Sequence, residues 1–347
     1  MLMKLWNTII IGKKVMLMDL FPSRRTPLSV HVGLTTRCDS RCRYCRFDRL
    51  SRPDIWTTEI LLKVLKEMKE AGTQRVQFTG GEPMLRKDIV IILERAKTLG
   101  MFVGISTNGF QVPERVNELT PADIVQVSYD GPQKAHDLLR GEGSHQTTRE
   151  ALDALLEKGI STWTNTVLTT VNAPFIDEIV EHAQTRKMQA NFVLLDYFED
   201  PQAHFHPALS EIADLVLTGD ERKSALKRLI ELKRSGSPVG GSLPYLQNAV
   251  NWPWGDKVTS PEPSPLYRCW AGRATAHLEA DAKLYACGMG VGRVEGIDVR
   301  GIGFAEAWRR IKPLPECRSC TMACGVEANL LFSLNLRAAW NWFRQIG

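Results

Sequence analysis

The chain has 347 residues, of which 44% are hydrophobic and 24% are charged, and this composition is typical of globular proteins. Its length accommodates one large domain or two modest ones. The net charge of +5 is compatible with an anionic cofactor or membrane surface. Because no dense block of Lys and Arg is present, we expect no nucleic-acid partner.

Eight cysteines fall into two groups, three between positions 38 and 45 and five between positions 269 and 324. The sequence has no evident signal peptide. Residues 1–21 are apolar in patches, but Asn7 and Thr8 interrupt them and Lys13 and Lys14 end them, so the stretch is too short to span a bilayer. We therefore expect a reducing cytoplasm, where clustered cysteines more often bind metal than form disulfides.

Short β-rich segments alternate with helical patterns over the first 200 residues. Strands are predicted at residues 28–35, 75–79, 102–106, 123–129, 162–169 and 190–195. Helices are predicted at residues 57–71, 87–99, near Glu114, and at 147–158 and 175–187. A repeated βα pattern predicts a parallel sheet with right-handed crossovers. In such sheets ligands bind at the carboxyl ends of the strands.

Cys38, Cys42 and Cys45 form a C-x3-C-x2-C run directly after the first predicted strand. Three thiolates on one tight loop can hold three corners of a [4Fe–4S] cluster and leave the fourth iron open to another ligand. Structural zinc requires four ligands in a closed tetrahedron. Taken by itself, the run is also compatible with a zinc loop or a redox-active pair.

Two further motifs lie at predicted strand ends. Gly80-Gly81-Glu82-Pro83 follows the second strand, where the two glycines allow the backbone to approach a ligand and the Glu82 carboxylate can accept from an ammonium group. Ser106 and Asn108 end the third strand, where short polar groups suit ribose hydroxyls. Each motif taken singly is also compatible with an ordinary turn.

Together, in this order and at these strand ends, the motifs resemble the radical S-adenosylmethionine (radical SAM) superfamily over roughly residues 28–200. The resemblance implies an α/β fold, a partial (β/α)6 TIM-type barrel followed by a small auxiliary-cluster domain. It also implies that Cys38, Cys42 and Cys45 bind a [4Fe–4S] cluster. The open iron of that cluster chelates the amino and carboxylate groups of S-adenosylmethionine.

The same resemblance implies the remaining contacts of the nucleotide. The glycine motif with Glu82 contacts the methionine amino group, and Ser106, with Asn108 close by, contacts the ribose. Tyr44, between two of the cysteines, lies near the adenine. Asp130 and Asp196, each after a predicted strand, are candidates for the substrate side of the site, and Asp196 is also compatible with a helix cap.

The second cysteine group resembles that of a subgroup with an extra C-terminal cluster domain, called SPASM in its longer form and twitch in its shorter form. Cys269 and Cys287 flank a predicted hairpin, and Cys317, Cys320 and Cys324 follow with C-x2-C-x3-C spacing. Five cysteines predict one auxiliary [4Fe–4S] cluster, with a zinc knuckle as the alternative. Which of the last three cysteines are ligands stays open.

Two other features bear on this region. The subgroup's hairpin usually has Gly at the position of Ala282, and because Ala avoids positive φ, we expect a different turn here. His204 and His206 are more typical of a solvated loop than of a metal site, and Trp252 and Trp254 either wall a pocket or pack a linker.

The expected parts of the chain follow from these patterns. They are an N-terminal amphipathic extension (1–27), a radical SAM partial barrel (28–235), a linker or active-site cover (236–266), a SPASM/twitch-like auxiliary cluster domain (267–325) and a C-terminal amphipathic segment (326–347).

The resemblance implies an enzyme that reductively cleaves S-adenosylmethionine to a 5′-deoxyadenosyl radical, which abstracts hydrogen from a substrate C–H bond. A reducing partner such as flavodoxin or ferredoxin is then required.

About 27 residues precede the first predicted strand, too few for a leader-binding domain, and both termini combine apolar and basic residues. We therefore expect an apolar or lipid-linked small-molecule substrate and peripheral contact with the inner membrane face. The alternatives are a peptide maturase that uses a separate leader-binding partner and a non-catalytic iron–sulfur protein.

Overall fold

The computed structural model describes residues 2–21, 24–46, 54–197, 207–253, 257–315 and 317–346, and it describes side chains from residue 11 to residue 344 within these ranges. The expectations for His204, His206 and Trp254 lie outside the described residues.

The structure contains a large sheet and a small one. In chain order the strands are β1 Ser29–Gly33, β2 Arg75–Thr79, β3 Phe102–Thr107, β4 Ile124–Ser128, β5 Thr162–Leu168, β6 Gln189–Leu194, β7 Thr259–Ser260, β8 Thr275–Leu278, β9 Lys283–Tyr285, β10 Ile297–Asp298 and β11 Ser319–Cys320. The large sheet has the order β10-β9-β8-β1-β2-β3-β4-β5-β6, and β7 pairs with β11. Strands β1 to β6 are parallel to their neighbours, which confirms the predicted partial barrel.

Helices connect and cover these strands. They are α1 Leu2–Leu20, α2 Thr58–Glu70, α3 Ile89–Thr98, α4 Val112–Arg115, α5 Gln133–Arg140, α6 Ser144–Glu157, α7 Ile176–Thr185, α8 Leu209–Ile212, α9 Gly219–Arg234, α10 Leu243–Val250, α11 Val299–Ile302, α12 Phe304–Arg310, α13 Ala323–Phe332 and α14 Leu336–Ile346. Helix α2 begins as expected, because the Thr57 side chain accepts from the Ile60 N–H at 3.3 Å and so satisfies a free helical donor. The patterns did not predict α5, whose eight residues are too few for a clear period.

The two faces of the main sheet differ in polarity. Val76 and Phe78 of β2 are fully buried in the main hydrophobic core. Gln77, between them, instead donates from Nε2 to Ser106 Oγ of β3 at 3.1 Å and to Gln126 Oε1 of β4 at 3.2 Å. Since successive side chains of a strand point to opposite faces, the apolar face packs on the helices and the inner face of the barrel is polar.

The C-terminal part of the chain extends the same sheet. Strand β8 pairs in parallel with β1, with Ser29 opposite Thr275, and β8 and β9 form an antiparallel hairpin as predicted for this segment. The expected boundary near residue 267 therefore does not interrupt the sheet. Residues 236–266, expected to be a linker or cover, contain α10 and β7. In the described part of the chain, no helix combines the length and apolarity needed to cross a bilayer.

Candidate functional site

The loop that carries the first three cysteines leaves the carboxyl end of β1 and is held against the end of β2. The Gly81 N–H donates to Thr35 O at 2.8 Å, and the Glu82 N–H donates to Arg37 O at 2.8 Å. A Cβ atom at Gly81 would lie 2.1 Å from Arg37 O, and one at Gly80 would lie 2.5 Å from Thr35 O. The two glycines therefore allow close backbone contact with the cysteine loop itself, whereas the sequence predicted an approach to a ligand.

Glu82 joins the ends of β2 and β3. Its buried carboxylate accepts from the Met84 N–H at 2.9 Å and from the Thr107 hydroxyl at 2.8 Å through Oε1, and from the Asn108 N–H at 2.7 Å through Oε2. Burial raises the pKa of Glu82 to about 7, and these hydrogen bonds oppose the shift. Pro83 then begins a short 3-10 turn, Pro83–Leu85. The carboxylate thus holds two strand ends beside the cysteine loop.

Ser106 and Asn108, the residues expected near a ribose, already have protein partners. The Ser106 hydroxyl donates to Gln126 Oε1 at 3.2 Å on the inner face of the barrel. Asn108 Nδ2 donates to Asp39 Oδ1 of the cysteine loop at 2.6 Å, and Gln111 Nε2 donates to Asp39 Oδ2 at 3.0 Å. Asn108 therefore fixes the cysteine loop, and the ribose contacts stay predictions.

Hydrogen-bond donors surround two of the cysteine sulfurs. The Ser40 N–H donates to Cys38 Sγ at 3.4 Å, the Ser40 hydroxyl lies 3.1 Å from Cys42 Sγ, and Arg140 Nη1 donates to Cys42 Sγ at 3.8 Å. Such donors favour the thiolate, which is the form that binds metal. Burial raises the pKa of Cys38 to about 12, and coordination to a metal reverses that preference.

A buried charge network lies behind the cysteine loop. Asp130 is fully buried and accepts from Arg140 Nε at 2.6 Å, from the Val167 N–H at 3.0 Å and from the Tyr44 hydroxyl. Burial alone would lower the pKa of Arg140, but the neighbouring Asp130 carboxylate raises it overall. These contacts argue against the substrate-side role expected for Asp130, because the protein itself occupies its carboxylate.

Helix α5 carries Arg140 of this network and contacts the cysteine loop. The Arg43 N–H donates to Leu139 O at 2.9 Å, and the Arg140 guanidinium lies 5.5 Å from the centre of the Tyr44 ring. Tyr44 also belongs to a small apolar cluster with Leu139 and Ile212. The sequence analysis missed the role of Arg140.

Four of the five C-terminal cysteines are close neighbours. Burial raises the pKa of Cys320 well above its usual value, and the thiols of Cys269, Cys317 and Cys287 add to the shift. The Tyr267 hydroxyl holds Cys320 of β11 in place, since it donates to Cys320 O at 2.8 Å and accepts from the Cys320 N–H at 3.1 Å. These four cysteines come from two parts of the chain, since Cys269 and Cys287 flank the β8–β9 hairpin and Cys317 and Cys320 lie at β11.

Cys324 interacts with Cys287, but it also has neighbours outside the cysteine group. The residue as a whole is exposed, while the protein atoms around its thiol desolvate it and raise its pKa to about 11, with Asp196 adding to the shift and Arg75 opposing it. Asp196 Oδ1 is buried and has no hydrogen-bond partner among the described residues, and burial raises the pKa of Asp196 to about 7. The carboxyl of Asp196 therefore remains available to a ligand near Cys324.

The hairpin between the cysteines corrects one expectation. Ala282 has φ +62°, so the prediction that alanine would avoid the left-handed conformation was wrong. The Ala282 N–H donates to Glu279 O at 3.0 Å, and Ala282 O accepts from the Val299 N–H at 3.0 Å. These bonds hold a turn of the kind that usually has glycine at this position.

A family model described as the Radical SAM superfamily matches residues 32–184, the segment that contains the cysteine loop and the ends of β1 to β4. Residues 32–184 therefore form a radical SAM domain. This confirms the resemblance drawn from the cysteine spacing and the strand-end motifs.

Several curated relatives of this chain are named as cyclases. A probable GTP 3′,8-cyclase of Halobacterium salinarum is 29% identical over 50% of this chain and 52% of that protein. A GTP 3′,8-cyclase of Marinobacter nauticus is 25% identical over 64% of this chain and 68% of that protein. The PqqA peptide cyclase of Bradyrhizobium diazoefficiens is 27% identical over 58% of this chain and 56% of that protein. The chain thus spans about half the length of the Halobacterium protein.

Solved structures share the fold of this chain. SuiB of Streptococcus suis bound to S-adenosylmethionine has a TM-score of 0.67 at 14% identity, over 87% of this chain and 70% of that one. The structure titled "Native anSMEcpe with bound AdoMet and Kp18Cys peptide" has a TM-score of 0.62 at 15% identity, over 82% of this chain and 81% of that one. At this identity the likeness concerns the fold, and it extends beyond the barrel.

Radical SAM proteins use a [4Fe–4S] cluster and S-adenosylmethionine, so the donor sets of this chain can be compared with those groups. Among the described residues, no three His, Cys, Asp or Glu side chains are already placed to share one ion. The chemistry nevertheless fits a cluster, because Cys38, Cys42 and Cys45 share one loop and donors are aimed at two of the sulfurs. The neighbouring C-terminal thiols supply the soft ligands that an auxiliary cluster requires.

Proposed function

We propose that this chain is an enzyme that cleaves S-adenosylmethionine reductively and uses the resulting 5′-deoxyadenosyl radical to abstract hydrogen from a substrate C–H bond. Cys38, Cys42 and Cys45 would hold the [4Fe–4S] cluster that supplies the electron. The observation that carries the proposal is the cysteine loop itself, which is bonded to the ends of β1, β2 and β3 at the carboxyl edge of a parallel barrel.

The residues around the loop would position the reactants. Glu82 fixes the ends of β2 and β3, and the pair of Asp130 and Arg140 fixes α5 behind the loop. Gln77 and Ser106 line the polar inner face, where hydrogen-bonding groups suit a nucleoside. A site held by buried partners costs little further ordering when the reactants bind.

The test is anaerobic incubation of the reconstituted protein with dithionite and S-adenosylmethionine. We expect 5′-deoxyadenosine from the wild type and none from the variant in which Cys38, Cys42 and Cys45 are all Ala. Iron content is measured on the same samples. A wild-type protein with a full complement of iron that forms no 5′-deoxyadenosine would favour the alternative of a non-catalytic iron–sulfur protein.

For the auxiliary cluster, we propose Cys269, Cys287, Cys317 and Cys320 as ligands and Cys324 as a residue outside the ligand set. Support comes from Cys320, which interacts with the thiols of Cys269, Cys317 and Cys287. Cys324 interacts with Asp196 and with Cys287, so it is the alternative ligand that the following variants test. Cys324→Ala should keep the iron of the auxiliary cluster, whereas Cys320→Ala should lose it. Equal iron loss in both variants would contradict the assignment.

For the substrate, we favour a peptide over the lipid-linked small molecule expected from the sequence. Support comes from the structure titled "Crystal structure of Streptococcus suis SuiB bound to precursor peptide SuiA", with a TM-score of 0.64 over 87% of this chain, and from the relative named as a peptide cyclase. Mass spectrometry of candidate precursor peptides after turnover tests this. A mass change that needs both S-adenosylmethionine and the three N-terminal cysteines would support it.

We also propose a peripheral contact of α14 with an anionic membrane. Leu336, Trp340 and Phe343 lie at spacings of four and three residues and are 83%, 63% and 45% exposed, and Arg337 and Arg344 flank them. An apolar stripe with basic neighbours suits a membrane interface. Co-sedimentation with anionic vesicles should fall when Leu336 and Trp340 are changed to Ser. Equal sedimentation of wild type and variant, or none in either, would refute this contact.

A further inference from the structure

A cavity of about 700 Å³ lies beside two of the proposed auxiliary ligands. Cys269 and Cys317 line it, together with proline-rich segments around Pro263 and Pro313. Cys324, by contrast, does not line this cavity and interacts electrostatically with Asp196. Two of the proposed auxiliary ligands therefore face an opening that Cys324 and Asp196 do not line.

The lining of this cavity is basic. Arg268, Arg273 and Arg318 line it, and none of its described lining residues is acidic. The side chain of Arg268 is 56% exposed and Arg318 is exposed. Arg268 Nη1 lies 3.1 Å from Asp19 Oδ1, and Glu316 in the adjoining segment lies outside the described residues. The patch thus presents several guanidinium groups and a single described carboxylate contact.

The number of thiols limits what an auxiliary cluster here can do. Four neighbouring cysteines suffice to bind every iron of a [4Fe–4S] cluster. No iron would then be open to a substrate, but such a centre could still exchange single electrons. Exchange with a protein partner requires a short path from the surface, and the cavity beside Cys269 and Cys317 provides one.

We propose, building on the function proposed above, that the arginine-lined cavity is the docking site of an acidic one-electron carrier protein of the flavin or iron–sulfur class. The reduced carrier loses one electron, the auxiliary cluster gains it, and no proton or covalent bond is exchanged. Opposite charge on the two surfaces steers the encounter and makes it sensitive to salt. Complexes of this kind are weak and have small interfaces.

The probe is a bacterial flavodoxin, and its dissociation constant for the cluster-loaded protein is measured at low, intermediate and high salt. Arg268→Glu with Arg318→Glu should weaken binding at low salt about tenfold and flatten the salt dependence. The matched control is Lys223→Glu with Lys227→Glu on α9, where both lysines are exposed and the net charge changes equally. The control should bind flavodoxin as the wild type does.

Iron content and the rate of 5′-deoxyadenosine formation with dithionite accompany each variant. We expect both to be unchanged, because dithionite is small and needs no docking surface. If the two charge-reversed proteins bind flavodoxin equally well, or if wild-type binding ignores salt, the docking site is wrong. If the wild type binds flavodoxin as expected but forms no 5′-deoxyadenosine with dithionite, the proposed function fails and the docking site stands. Should Arg268→Glu with Arg318→Glu lose iron, the milder Arg268→Gln with Arg318→Gln replaces it, with the same expected direction.

Discussion

Replacing Arg140 by Gln should destabilise the protein strongly, because the change leaves a buried carboxylate without its cation. Asp130 is fully buried and Arg140 is nearly so, with a side chain only 7% exposed and Nε 2.6 Å from Asp130 Oδ2. Removing one partner of a buried pair costs about 3 to 5 kcal/mol. The Val167 N–H and the Tyr44 hydroxyl still donate to Asp130, so we expect the lower end of this range, about 3 kcal/mol.

The assay is urea unfolding of the metal-free protein under reducing conditions, and the matched control is Arg186→Gln. Arg186 also pairs with an aspartate, Asp153 at 3.3 Å, but the two side chains are 22% and 51% exposed. Exposed pairs contribute about 0 to 1 kcal/mol, so the control should move the unfolding midpoint little. Equal shifts in the two variants would refute the reasoning.

A double variant separates the pair from its surroundings. Asp130→Asn combined with Arg140→Gln removes both charges, so it should cost less than the sum of the two single changes, by about 0.5 to 3 kcal/mol. Because Arg140 Nη1 also donates to Cys42 Sγ, we expect Arg140→Gln to retain less iron on the N-terminal cysteines than Arg186→Gln does. Strict additivity of the two changes would mean that the charges are not coupled.

Three other changes have expected outcomes that differ in sign. Gly81→Ala places a Cβ 2.1 Å from the backbone oxygen of Arg37 and should cost several kcal/mol, on the order of the largest single-site effects, in urea unfolding. The control Gly219→Ala has nothing within 4 Å and should stabilise by about 0.4 to 1 kcal/mol. Asp196→Asn should leave stability unchanged near pH 4. Burial raises the folded pKa of Asp196 from 3.8 to about 7, so the wild type loses stability as pH rises between those values. Above pH 7, Asp196→Asn should therefore be more stable than the wild type by up to about 4 kcal/mol. Parallel pH profiles of stability for the two proteins would contradict this. Ala282→Gly removes the strain of a left-handed alanine, which should stabilise the folded state by about 1 to 2 kcal/mol. The lost buried methyl group should destabilise it by about 0.8 kcal/mol, and the greater freedom of the unfolded chain by about 0.4 to 1 kcal/mol. The urea midpoint of this variant should therefore stay close to that of the wild type. A large shift in either direction would show that the strain of the left-handed alanine does not balance the two opposing terms.

The sequence was sufficient for the features that depend on neighbouring residues. The strands of the barrel were predicted to within two residues at each end because alternating apolar side chains and turn residues are local signals. The C-x3-C-x2-C run and the strand-end motifs were sufficient for the resemblance to the radical SAM superfamily, which the family model over residues 32–184 confirms. The β8–β9 hairpin was likewise predicted from a short segment.

Only the tertiary structure decided what each side chain contacts, because those partners are distant along the chain. Asp130 looked like a substrate-side acid at a strand end, but its partner Tyr44 is 86 positions away and its burial cannot be read from position. Cys324 lies only four positions from Cys320, yet the fold directs it toward Asp196 because α13 begins between the two cysteines. Ala282 takes a conformation that alanine disfavours, since hydrogen bonds to Glu279 and Val299 hold the turn.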